Sequence, residues 1–147
     1  MKIKRGLLIA CTLLAGMTSW IACETEEENE GGANHNVGNN CLVCHQPGGG
    51  GEGTFYAGGT VFKAGTTTGA TGATISLYSN PEFSGTPVVT MTSQVGGNFY
   101  TKSSINFGTG LYVKITSTTG SNSMSIPITS GACNSCHGVS TEKITVQ

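Results

Sequence analysis

With 147 residues the chain has room for one modest domain plus short extensions, and its formal charge of −1 argues against the basic surface that nucleic-acid binding requires. Only 10% of the residues are charged and 23 are Gly, while Ser, Thr and Asn crowd the middle of the chain. That composition disfavours a helical architecture and favours short strands joined by many turns.

The charge is unevenly placed. Lys2, Lys4 and Arg5 precede an apolar run over residues 6–22, GLLIACTLLAGMTSWIA. A basic start followed by a short apolar run predicts a secretory signal peptide over residues 1–22. The alternative is a transmembrane anchor, for which a 17-residue run containing Thr12, Thr18 and Ser19 is marginal. Cys23 follows Ile21 and Ala22 directly and resembles the cysteine of a bacterial lipoprotein signal. The resemblance implies lipidation at Cys23 and a membrane anchor that does not span. The alternative is a plain secreted protein cleaved near Ala22. Residues 24–30 read ETEEENE and hold five of the eight acidic residues, and the chain contains no Asp. A like-charge run of this kind repels itself, so residues 23–34 are expected to form an extended acidic tether. Removing residues 1–22 leaves four Lys against eight Glu, a formal charge of −4.

Four cysteines remain beyond Cys11 in the signal segment and Cys23. Cys41-Leu42-Val43-Cys44-His45 is CxxCH, and so is Cys133-Asn134-Ser135-Cys136-His137. Two thiols at this spacing can add to the two vinyl groups of one haem, with the next His placed to ligate the iron. Two of the three His residues in the chain directly follow a CxxC, which makes two c-type haems the leading reading. Four-cysteine zinc sites bring their pairs closer in sequence than the interval from Cys44 to Cys133 and leave both His unexplained. A thioredoxin-like pair would open a helix, and no helical period surrounds either motif. A disulfide within each motif would again leave the His idle, and the mature chain is expected to have none.

The sixth ligand of each iron has few candidates. His35 sits in a polar, turn-rich stretch ahead of the first motif. Met124 precedes the second motif, but shares a face with Ile126 and Ile128 by period two and is equally readable as core, as is Met91 beside Val89. With three His, at most one iron can be bis-His within a monomer.

Between the motifs the pattern alternates. Residues 55–63, broken at Gly58-Gly59, and residues 73–79, 87–93, 97–102, 111–118 and 124–129 read as strands, with 143–146 closing the set. That makes about seven short strands, a mainly β fold of sandwich type. The expected organisation is a first haem-attachment segment at 35–53, a sandwich at 54–130, and a second haem-attachment segment with a terminal strand at 131–147. An odd strand count would put the two motifs at opposite poles and an even count on the same side, and the pattern leaves that count open.

Gly59-Thr60-Val61, Gly72-Ala73-Thr74-Ile75-Ser76-Leu77, Gly96-Gly97-Asn98-Phe99-Tyr100 and Gly110-Leu111-Tyr112-Val113-Lys114-Ile115 together resemble the carboxypeptidase regulatory-like domain. That family implies a small transthyretin-like or immunoglobulin-like sandwich, usually non-catalytic. The stretch from Met124 through Gly131-Ala132 to Cys133-Asn134-Ser135-Cys136-His137-Gly138 is similar to exported cytochromes with a CxxCH at each end of such a sandwich, and implies electron transfer. The expected function is therefore that of an extracytoplasmic dihaem electron carrier rather than an enzyme. It would lie in the periplasm or on the cell surface of a bacterium, anchored to membrane by lipid. It would serve redox partner proteins or extracellular electron acceptors. One alternative is a haem-based sensor or peroxidase, if one iron is five-coordinate. Distal catalytic groups are scarce, however: the chain has no Asp, and no Arg after Arg5. Another is a homo-oligomer or cytochrome filament built from head-to-tail contacts.

Overall fold

The computed structural model describes residues 35–147. The expected signal peptide, the Cys23 lipidation site and the acidic tether lie outside the described residues. The fold is mainly β, with nine short strands among the described residues rather than about seven.

Alternating residues set the largest sheet. β3 (Thr74–Tyr78) is its centre, paired antiparallel with β4 (Val89–Thr92) on one side and β6 (Tyr112–Thr116) on the other. β7 (Ser121–Ser123) adds antiparallel to β6 at the edge. Register puts Ile75 between Met91 and Ile115, and Leu77 between Val89 and Val113. These side chains share one face by the two-residue period of a strand. All but Val89 are buried, and Val89 packs against them. Burial of each large apolar side chain contributes about 1.5–3 kcal/mol.

The second sheet carries the features that position the motifs. β1 (Ala57–Thr60) is its middle strand, antiparallel to β5 (Asn98–Thr101) and parallel to β8 (Gly131–Ala132). A third, two-stranded sheet pairs β2 (Phe62–Lys63) in parallel with β9 (Thr145–Val146). One core joins all three sheets: Phe99 and Ala57 from the second and Val146 from the third pack in one cluster with Ile75, Leu77 and Ile115 from the first.

Three local expectations are corrected. Gly58-Gly59 does not interrupt the first strand but lies inside β1. The strand expected at 124–129 is replaced by β7 at Ser121–Ser123, with a single bridge from Leu111 to Ile128 beyond it. Pro127 has no N–H to offer a ladder there, which cuts the pairing short. Finally, each CxxC does wind into a helical turn: α1 (Cys41–Cys44) and a 3₁₀ turn at Cys133–Ser135. Asn40 starts the first of these, its side-chain oxygen accepting from the Leu42 N–H at 3.1 Å.

Candidate functional site

At the first motif, α1 places Cys41 and Cys44 on one turn and delivers His45 at its C-terminal end, where the His45 N–H donates to the Cys41 carbonyl at 3.0 Å. The His45 ring is buried, and its Nδ1 faces the carbonyls of Glu52 at 3.0 Å and Gly53 at 3.3 Å. Carbonyls only accept, so Nδ1 carries the proton and donates. Nε2 is then the nitrogen with a lone pair, the arrangement of a metal-ligating histidine. Two neighbours fix the ring plane. Phe55 stacks on it at 3.9 Å between centroids and 4° between planes. Gly51 lies against it so closely that a Cβ there would stand 2.8 Å from Nδ1. Tyr100 stacks in turn on Phe55 at 4.2 Å and 6°. The exposed His35 lies beside this group, its ring 5.7 Å from that of His45 and tilted by 42°. Its carbonyl accepts from Asn98 Nδ2 at 2.9 Å.

The second motif repeats the arrangement with other residues. β8 leads straight into the Cys133–Ser135 turn, and the His137 N–H donates to the Cys133 carbonyl at 3.1 Å. His137 Nδ1 faces the Glu142 carbonyl at 2.7 Å and the Thr141 hydroxyl at 3.3 Å. The short contact to a carbonyl assigns the proton to Nδ1 here too and leaves Nε2 as the donor for a metal.

Strand β1 brings the two motifs together. A Cβ on Gly58 would stand 3.2 Å from Cys41 Cβ, and one on Gly59 would stand 2.9 Å from Cys133 Cβ and from Asn134 Oδ1. Glycine is what lets both motifs press onto one strand, and this is the reason Gly58-Gly59 sits mid-strand. The next residue, Thr60, ties the segments. Its N–H donates to Asn134 Oδ1 at 2.7 Å and its hydroxyl donates to Asn98 Oδ1 at 2.5 Å. That hydroxyl also accepts from the Gly38 N–H at 2.9 Å. Asn134 Nδ2 reaches on to the His137 carbonyl at 3.2 Å. Thr60, Asn98 and Asn134 are all buried, where fully satisfied polar groups hold geometry firmly. A cleft of about 330 Å³ lies between the segments, lined by Val37, Asn39 and Phe62 on one side and by Asn134, His137 and Lys143 on the other.

The thiols differ. Cys41, Cys133 and Cys136 are free thiols. Burial raises the Cys41 thiol pKa. Burial, with Cys41 nearby as a lesser cause, pushes Cys133 up to about 12. Part of Cys133 reaches the surface, but the residue packs against the core and its sulfur is desolvated. Cys136 is exposed. In the reduced, haem-free protein at about pH 8, iodoacetamide is expected to label Cys136 at least about ten-fold faster than Cys133, because the thiolate is the nucleophile. The Cys133 rate should climb as pH rises toward its pKa. Equal labelling rates by peptide mass mapping would contradict this.

Met124 packs, partly buried, against the hydrophobic core just beyond β7, and Met91 is buried on β4. The sequence pattern missed Phe55, Tyr100, Gly51, Thr60, Asn98 and Asn134. Among the described residues no three His, Cys, Asp or Glu side chains converge into a metal-ion cage. A haem iron needs no such cage, since it takes only one or two axial ligands from the protein. Val37, Val43 and Val139, within or beside the motifs, are exposed at 41%, 40% and 76%, and this apolar surface suits the face of a macrocycle. No protein-family model, curated protein or solved structure matches the chain.

Proposed function

We propose that the protein is an exported dihaem c-type cytochrome that transfers electrons outside the cytoplasm, tethered to membrane by lipid at Cys23. In this reading Cys41 and Cys44 would hold one haem and Cys133 and Cys136 the other, with His45 and His137 as the iron-ligating residues. When bound, each haem supplies reversible one-electron iron chemistry. The mainly β architecture is compatible with a sandwich of the carboxypeptidase regulatory-like kind.

One observation carries the proposal. Each CxxCH histidine has its Nδ1 committed to a backbone carbonyl, which presents Nε2 to a metal and orients the ring. Zinc or disulfide use of the cysteines gives no reason for both histidines to be held this way. The chain's own residues then do three things. The Nδ1–H donors of His45 and His137 keep each imidazole in one tautomer. Phe55 and Gly51 fix the plane of the His45 ring. His35, its ring 5.7 Å from that of His45, would offer the first iron a sixth ligand. His45 and His137 therefore sit in different surroundings, with a neighbouring imidazole at the first site alone among the described histidines.

A pyridine haemochrome assay on protein made with haem-maturation machinery is expected to give two haems per chain. An EPR spectrum of the oxidised protein should show one iron with two imidazole ligands and a second iron with a different ligand set. Absence of covalent haem, or zinc in its place, would end the proposal.

A further inference from the structure

The two motifs are 89 positions apart from Cys44 to Cys133, yet they lie against consecutive residues of one strand. Cys41 packs on Gly58, and Cys133 packs on Gly59. The pairing of β8 with β1, Ala57 to Gly131 and Gly58 to Ala132, sets the start of the second motif in register with that strand. Hydrogen bonds then run from the first segment to the second without a break. They pass from Gly38 to the Thr60 hydroxyl, along Thr60 to its own N–H, on to Asn134 Oδ1, and from Asn134 Nδ2 to the His137 carbonyl. The cleft between the segments is lined by residues of both, including the axial candidate His137.

We propose that Gly58-Gly59 of β1 is a common seat for both haem-attachment sites, clamped by Thr60 and Asn134, so that the two haems are held as one closely spaced, electronically coupled pair. This rests on the dihaem reading above and sharpens it. The protein would present a two-electron unit with a fixed internal geometry, not two carriers separated by a scaffold. An electron given up at one site is taken up at the other, so exchange within the pair needs no further reactant. A partner able to reach either site would have access to both.

The physical reason for the fixed geometry is that every element of the clamp is buried and hydrogen-bonded. Thr60 has no exposure and Asn134 has 3%. Rotation of either segment about β1 would strand a buried donor or acceptor, which costs about 1–3 kcal/mol for each group left unpaired. A side chain at residue 59 would meet Asn134 Oδ1, Cys133 Cβ and Phe99 Cζ at 2.9–3.0 Å, and one at residue 58 would meet Cys41 Cβ at 3.2 Å, so the packed neighbours would have to shift.

Circular dichroism in the Soret region of the full chain carrying both haems tests this, read beside the haem count. The expected result is a two-signed Soret couplet that is lost in each single-haem control, the double variants C41S/C44S and C133S/C136S. N134A keeps all four thioether cysteines and both axial histidines. It should retain two haems while the couplet weakens. Two haems per chain with a spectrum equal to the sum of the single-haem controls would overturn the coupled pair and leave the dihaem reading standing. Fewer than two haems in the unmodified chain would overturn both. An unchanged couplet in N134A, with its haem content intact, would overturn the clamp assigned to Asn134.

Discussion

A Thr60→Val substitution is expected to lower stability by about 2–6 kcal/mol, although it barely changes side-chain volume. The hydroxyl it removes is the donor to Asn98 Oδ1 and the acceptor for the Gly38 N–H. Both bonds would be lost in or near the interior, at about 1–3 kcal/mol each. Val fills the same space, so no cavity offsets or adds to the effect. Chemical denaturation of holoprotein should show the loss as a shifted midpoint with an unchanged slope. A second substitution gives a sharper check. Asn98→Ala alone also breaks the Asn98–Thr60 bond and removes the Asn98 Nδ2 donor to the His35 carbonyl. Combined with Thr60→Val, the two losses should fall short of their sum, because they share one bond. Simple additivity, or a Thr60→Val cost below about 0.5 kcal/mol, the range of ordinary surface changes, would remove Thr60 from the centre of the site.

Thr60 also shows where sequence reading stops. The alternation in TISLY and LYVKI is legible because each strand puts one apolar face on a core, and β3 and β6 fall within the stretches that pattern marks. The count rises from about seven to nine because residues 55–63 form two strands, β1 and β2, and because the two-residue β8 is too short to show a period, whereas β9 falls within the strand expected at 143–146. The CxxCH cysteines and histidines are legible because their chemistry demands a fixed spacing. Asn134 occupies a variable position inside that spacing, and its partner, the Thr60 N–H, is 74 positions away. Nothing local announces such a bond. Gly58-Gly59 reads locally as a strand breaker. Only the packing of Cys41 and Cys133 against it explains why two glycines continue the strand. The relation of the motifs to each other could not follow from counting strands either. Parity assumes hairpin connections, whereas the second motif arrives on β8, parallel to β1.

In the C41S/C44S variant the haem content is expected to fall from two to one, with the remaining haem on Cys133 and Cys136. Each motif histidine is held by contacts local to its own segment. His45 depends on the carbonyls of Glu52 and Gly53 and on stacking with Phe55. His137 depends on Glu142 and Thr141. Neither set includes a residue of the other motif, so loss of one attachment site leaves the other's ligand in place. Peptide mass mapping checks it: haem on 133–137 alone in C41S/C44S is the expected result. Loss of both haems in C41S/C44S would show that the sites mature as one unit, against the local histidine contacts.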